Sequence, residues 1–274
     1  MGLEHKRILV TVKAYPDIGK KYGEAVCVAG IDQSTGAWIR LYPVGFRDLP
    51  KERRFSKYAT IEVDVRKSAS DHRPESFTPV IDTLEVVQEP PSTGVAKERR
   101  AAVDPLLAEG MCSIFAQQQV DGTSLGVFRP VELLEFKSEK TAAEWPDAKK
   151  MRIDQQSLLG DQKVPLEKIP YDFSYKYRCA ASACKTHDQK IVDWDIGEMF
   201  RKLRAGHDEG TTLEMVRSKW GGELWSSSCD TYLYVGNQLA HQRGFLVLGV
   251  FWPKKGPTGG ESSEWVQDEL LPPQ

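Results

Sequence analysis

Two cysteines and a histidine fall within nine residues, as Cys179-x4-Cys184-x2-His187, and no other stretch of the chain concentrates as much chemistry. Two thiolates and an imidazole suit a borderline-soft ion such as zinc, which prefers a tetrahedral site. A closed structural site needs a fourth ligand. The remaining soft candidates are Cys27, Cys112, Cys229, His5, His72, His207 and His241, with Asp188 and Asp193 as nearby oxygen donors. Cys229 precedes a predicted strand that could neighbour the first three. The spacing is not that of a standard zinc knuckle, and one cysteine pair without a matching second pair leaves a plainer alternative open: two ordinary cysteines and a surface histidine.

The same region is rich in acids. His187, Asp188, Asp193, Asp195 and Glu198 could together hold Mg2+ and activate water for phosphodiester attack. Asp193, however, precedes Ile196, Met199, Phe200 and Leu203, which lie at helical spacing and mark it as an N-cap. Asp195 and Glu198 then occupy the first helical turn, where the macrodipole favours acids. The chain has no HExxH, Walker loop, G-x-S-x-G or Asp…Glu-x-Lys nuclease core, so no catalytic residue is assigned.

A third constellation interleaves rings and cations: Trp38, Arg40, Tyr42, Phe46, Arg47, Lys51, Arg53, Arg54, Phe55, Lys57 and Tyr58. A single-strand binder needs such a mixture, because rings stack on bases and cations neutralise phosphates. Side chains alternate across a strand, so Trp38, Arg40 and Tyr42 share one face while Ile39 and Leu41 turn inward. The expected nucleic-acid contacts are Trp38, Arg40, Tyr42, Arg47, Arg53, Arg54 and Lys57. The alternative is that another part of the same protein covers that face. Lys13, Tyr15, Lys20, Lys21 and Tyr22 form a smaller cluster before the second strand, and Arg66, Lys67, His72 and Arg73 another after the fourth.

The elements that position these groups can be read along the chain. Its 274 residues, 40% of them hydrophobic, suffice for one large or two ordinary domains without staples. A formal charge of −2 excludes the blanket positive field of a histone-like protein but leaves room for local patches. No window approaches eighteen apolar residues and Met1 to Arg7 leads into a strand-like segment without a signal core, so a soluble, cytoplasmic protein is expected. Five irregularly spaced cysteines fit a reducing compartment.

Short β-branched and aromatic runs predict strands at Ile8–Val12, Ala25–Ala29, Trp38–Tyr42, Thr60–Val65 and Asp82–Val87, with a hairpin turn at Asp32–Gly36. Val95–Gln118 reads as helical, with Asp104 and Pro105 opening a second helix that Gly110 weakens. A strand candidate at Leu125–Phe128 leads through Arg129-Pro130 into Val131–Phe136, and Phe173–Cys179 and Lys190–Val192 also read as strands. Tyr171, Phe173, Tyr175 and Tyr177 lie on one strand face, which favours a core role. Then come the helix after Asp193, a helix opening at Thr211 with Glu214 as its capping box, and an antiparallel pair at Thr231–Val235 and Phe245–Trp252. Strand-strand-strand-helix-strand-strand is the order of an OB-type barrel. The expected fold is α+β: a small OB-like β-barrel unit with a helical extension over 1–137, a connecting arm over 138–168, a second β-rich unit with two helices over 169–255, and a disordered tail over 256–274.

The segments Cys27-Val28-Ala29-Gly30-Ile31-Asp32 and Trp38-Ile39-Arg40-Leu41-Tyr42-Pro43 resemble the "CvAG" and "WIR" strands of the dual OB-containing domain family, a bacterial group. The resemblance covers about twenty residues closely and the first ninety loosely. It implies an OB barrel and an association with nucleic acid in mobile-element or defence systems, and it transfers no catalytic motif. Tyr177-Arg178-Cys179, Cys184-Lys185-Thr186-His187, Asp193-Trp194, Val235-Gly236-Asn237 and Leu248-Gly249-Val250-Phe251 are similar to the C-terminal part of uncharacterised bacterial proteins. Together these features predict a binder of single-stranded or distorted nucleic acid, with zinc as the expected cofactor. A metal-dependent hydrolase acting on nucleic acid and a protein-interaction scaffold are the alternatives.

Overall fold

The computed structural model describes residues 2–19, 22–90, 95–158 and 166–255. In the first lobe, β1 (Glu4–Lys13), β2 (Asp17–Gly19), β3 (Gly23–Asp32) and β4 (Trp38–Val44) are followed by two short 3-10 turns, Phe46–Asp48 and Lys51–Arg53. Then come β5 (Thr60–Lys67), β6 (Ser76–Pro79), a 3-10 turn at Ile81–Thr83 and β7 (Glu85–Gln88). β1 pairs with β3, β3 with β4, β4 runs parallel to β6, β6 pairs with β5, and β5 returns to β1. This circuit closes a five-stranded barrel in the OB-type order. Its interior is aliphatic: Ile8, Val10, Val28, Ile39, Leu41, Ile61 and Val63 are all buried.

The fifth barrel strand differs from expectation. The segment expected to close the circuit becomes a 3-10 turn and β7, an extra strand on β5, and β6 closes the barrel instead. Only four residues long and ending in Pro79, β6 carries little local strand signal, and its place is set by non-local pairing.

The second lobe begins with its own short strand. After α1 (Val95–Val103) and a 3-10 turn at Asp104–Leu106, the chain forms β8 (Leu107–Ala108), α2 (Met111–Asp121), β9 (Leu125–Phe128), β10 (Glu132–Lys140), α3 (Asp147–Leu158) and β11 (Tyr171–Arg178). It continues through β12 (His187–Ile191), α4 (Trp194–Arg204), α5 (Glu209–Arg217), β13 (Tyr232–Gln238) and β14 (His241–Phe251). The expected second helix from Asp104 is broken, because Gly110 sits at the N-cap of α2 and not inside a helix. Similarly, α5 is capped by Asp208, whose carboxylate accepts from the Thr211 N–H at 3.0 Å, and not by Thr211 itself.

The second sheet has the order β10-β11-β12-β14-β13-β9-β8, with β12 and β14 parallel. β9 pairs with β13 while β10, three residues later, pairs with β11. Taken as one strand interrupted at Arg129-Pro130-Val131, β9 and β10 together do what β1 does alone in the first barrel. Pro130 has no N–H to donate, so the ladder cannot run through it. Strands β8, β9 and β10 thus belong to the second sheet; the 138–168 stretch supplies the end of β10 and α3. Its Leu159–Gln162 turn lies outside the described residues, as does the 256–274 tail. Tyr171, Phe173, Tyr175 and Tyr177 all point into the core, where the Tyr175 hydroxyl donates to the Trp220 carbonyl at 2.7 Å. Among the described residues, no helix is long and apolar enough to cross a membrane.

The lobes share a buried apolar cluster, with Val12 and Ile31 from the first and Val127 and Leu248 from the second, and polar contacts add to it. The Tyr15 N–H donates to the Val192 carbonyl at 2.7 Å, Tyr58 and Tyr234 share a hydroxyl contact at 3.3 Å, and Arg73 Nη1 donates to the Asn237 carbonyl at 2.6 Å.

Candidate metal centre and the barrel face

Four ligand atoms meet where α2 touches the β11–β12 hairpin. Cys112 is the second residue of α2, Cys179 follows β11, Cys184 lies in the hairpin loop, and His187 opens β12. Their Sγ and imidazole nitrogen atoms all lie within 4.8 Å of one another. His187 Nε2 is 3.4 Å from Cys112 Sγ, 3.5 Å from Cys179 Sγ and 3.3 Å from Cys184 Sγ. One nitrogen has a single lone pair or a single N–H and cannot satisfy three thiols by hydrogen bonding. Metal–sulfur and metal–nitrogen bonds of about 2.3 and 2.0–2.1 Å at a tetrahedral angle put nitrogen and sulfur roughly 3.5 Å apart. The donor set therefore has the spacing of a tetrahedral coordination shell and can hold a metal ion.

The surroundings fit that use. Burial pushes the Cys112 thiol up to about 12, and the adjacent Cys179 and Cys184 sulfurs add to the shift. Three crowded sulfurs thus resist ionising together unless a cation balances them. Burial also opposes ionisation of Cys179, yet hydrogen bonds from the backbone of Cys112 and Ala181 and from the neighbouring thiols leave its thiol below the ordinary value. Burial lowers the His187 imidazole, favouring the neutral form that ligates metals. Phe115 stacks on the His187 ring with centroids 6.0 Å apart, and Tyr177 tilts against it at 5.4 Å. A Cβ on Gly110 would come within 2.8 Å of the Cys179 Cβ, so glycine is what lets the start of α2 approach the hairpin this closely.

Three of these ligands are the residues expected from sequence; the fourth, Cys112, stood among seven soft candidates. Cys229, whose position before a strand singled it out, instead accepts from Ser226 Oγ at 3.4 Å, away from the cluster. The signal for Cys112 was Gly110: a glycine two residues ahead of a cysteine marked a helix start close to another backbone, not a flaw within a helix. The acids do not join the centre. Asp188 pairs with Lys137, Glu198 with Arg201 at 2.6 Å, and Asp195 with Lys57 at 2.7 Å. Asp193 caps α4 as expected, accepting from the Asp195 N–H at 3.0 Å, and also from Lys57 at 2.5 Å and the Val250 N–H at 3.2 Å. Burial opposes the charge on Lys57, but the two carboxylates more than offset it and hold the amine protonated.

The expected Trp38–Arg40–Tyr42 face is divided by the second lobe. Alternation holds, with Ile39 and Leu41 inside the barrel, but Arg40 is only 3% exposed. Its Nη2 donates to the Ser124 carbonyl at 2.8 Å and hydroxyl at 3.1 Å. Trp38 meets the edge of Tyr234 at 6.1 Å, and Lys57 is buried against Asp193. Arg54 braces its own loop through the Leu49 and Arg47 carbonyls. The cover is thus another part of the same chain. Tyr42 remains exposed, Arg53 is half-buried, and Arg47 pairs with Glu24 at 3.0 Å.

The smaller clusters divide likewise. Lys13 is buried over the rings of Phe46 and Trp194, at 4.1 and 4.6 Å, and burial pushes its amine down to about 8. Arg73 is buried in the lobe contact, whereas Arg66 and His72 are exposed. Lys20 and Lys21 lie outside the described residues. A pair not foreseen as such stands at this corner: Tyr22 and Tyr42, 41% and 36% exposed, meet edge to face at 5.9 Å.

Residues 108–270 match the family described as Domain of unknown function (DUF8757), and residues 4–105 match Domain of unknown function (DUF8758). The two matches meet where the second sheet begins. No curated protein matches the chain.

Proposed function

We propose that this chain, which belongs to the family described as Domain of unknown function (DUF8757), is a nucleic-acid-binding protein that takes single-stranded or distorted strands at the Tyr22–Tyr42 corner of its first barrel. The observation that carries this reading is the exposed edge-to-face tyrosine pair, 5.9 Å between centroids, at the end of an OB-type barrel. An unpaired base offers a ring for such a platform, worth about 1–3 kcal/mol per base. Arg47 lies beside Glu24, two residues from Tyr22, and Lys51 and Arg53 continue the same connection. Glu24 and Asp17 share this corner, the latter paired with Lys149, so phosphates must compete with carboxylates for these cations. Binding is accordingly expected to be modest and salt-dependent. Trp38, Arg40 and Lys57 have no part in this surface.

The test is fluorescence anisotropy with a labelled thymidine oligomer and a duplex of equal length at low salt. Tyr22→Ala with Tyr42→Ala should weaken single-strand binding about tenfold or more, from the loss of two stacking rings. Unchanged affinity in the folded double variant, or no salt-dependent binding by the natural protein, removes the proposal.

The ion of the cysteine–histidine set is, in the same proposal, zinc in a structural role. Three thiolates and an imidazole complete a tetrahedral shell, leaving no open position for a reacting group. Protein never exposed to chelator should carry about one zinc per chain; substoichiometric metal would leave four ordinary side chains.

A further inference from the structure

We infer that zinc at Cys112, Cys179, Cys184 and His187 helps lock the two lobes together, with α2 as the strut between the ion and the lobe contact. The inference rests on the zinc assignment above. The ion would fix α2 in its first turn, through Cys112. Eleven residues of helix span about 16 Å, and the chain emerges at Ser124, where the lobes meet.

Ser124 is wholly buried and carries a concentrated set of contacts. Its N–H and hydroxyl both donate to the Glu75 carboxylate, at 2.9 and 2.7 Å. Its carbonyl accepts from Arg40 Nη2 at 2.8 Å and from the Asn237 N–H at 3.0 Å. The Arg40 N–H in turn donates to the Glu75 carbonyl at 2.8 Å. The short link from helix to serine is stiff: the Gly122 N–H returns to the Gln118 carbonyl, and the Asp121 carboxylate accepts from both the Thr123 N–H and its hydroxyl. The buried Arg40 guanidinium and the half-buried Glu75 carboxylate thus both take partners from this one serine, and a buried charge that loses a partner is costly. Met111, Ile114 and Phe115 also hold α2 through packing. What the ion adds is a direct bond from the first turn of α2 to the β11–β12 hairpin, beside the packing of Met111 and its contact with Gln189.

Coupling between two sites is reciprocal, so it can be read from either end in the full-length protein. In the first measurement, hydrogen exchange is compared before and after metal is stripped. Protection should fall at least about fivefold at the Ser124 and Asn237 amides as well as across residues 179–187; loss confined to 179–187 overturns the inference. Should the stripped protein unfold, the second measurement decides. Ser124→Ala and Glu75→Gln, both remote from the ligands, are titrated with a chromophoric zinc chelator. Each should lose zinc at least about fivefold more readily than the natural chain, the lower end of usual coupling. Unchanged zinc affinity in folded variants overturns the coupling but leaves the zinc assignment intact, whereas absence of zinc from the natural protein overturns the assignment itself.

Discussion

The barrel and the second sheet share a strand order but close the equivalent hairpin by different means. In the first, β3 turns into β4 through Asp32–Gly36, where the Asp32 carboxylate accepts from the Ser34 N–H at 3.0 Å and its hydroxyl at 2.7 Å. Gly36 supplies φ +69°, a conformation that a side chain resists. In the second, β11 reaches β12 through a loop from Cys179 to Thr186, with one backbone hydrogen bond, Cys184 N–H to the Ala181 carbonyl at 2.9 Å. The longer loop costs more entropy to close. Here the hairpin carries three of four side chains that could hold a metal ion, and the fourth comes from α2. A short turn can be specified locally; a long one must be held from outside, and so becomes a place where distant parts of the chain are tied together.

The largest expected effect tests whether the lobes are one unit. Asp193→Ala removes the cap of α4 and leaves Lys57 short of a partner in a buried position, so a loss of about 3–5 kcal/mol is expected by denaturant titration. Asp193→Asn keeps a capping oxygen but not the charge facing Lys57, and should fall between the two. Should alanine and asparagine be equally mild, the Lys57–Asp193 contact is not what joins the lobes.

Next come the two hairpins themselves. Gly110→Ala drives a Cβ against Cys179, for which overpacking costs of about 1–3 kcal/mol are typical, and should also make zinc easier to remove by chelator. Gly36→Ala should cost about 1 kcal/mol in thermal melting and leave metal content unchanged. If the two variants behave alike, both in stability and in metal retention, the contrast between an internally held turn and an externally held loop fails.

The last comparison concerns the lobe contact. Burial alone would raise the Asp71 carboxyl, but hydrogen bonds from Arg73 and Ser76 hold it at about 2, below its usual 3.8. A carboxylate lowered on folding contributes stability above its unfolded value, and that contribution fades as pH falls from roughly 4 toward 2. The natural protein's advantage over Asp71→Asn should therefore shrink across that window in melting curves; a gap constant from pH 6 to pH 2 would speak against the ionic contact.

Local pattern was enough to specify most strands, the Asp193 cap, the inward tyrosine face of β11 and three of the four clustered residues that could hold a metal. Those features arise from side-chain period, capping chemistry and short-range spacing, which the chain carries residue by residue. Tertiary structure decided the rest. It drew Cys112 to the hairpin from far upstream, used four-residue β6 to close the barrel, and interrupted the second sheet at Pro130 between β9 and β10. It also turned Arg40 and Lys57 from an expected binding face into contacts between lobes. No local pattern distinguishes an exposed arginine from one awaiting a buried carbonyl, because the acceptor at Ser124 is supplied by a distant segment. Non-local pairing and the cost of leaving buried charge unsatisfied settled which one Arg40 would be.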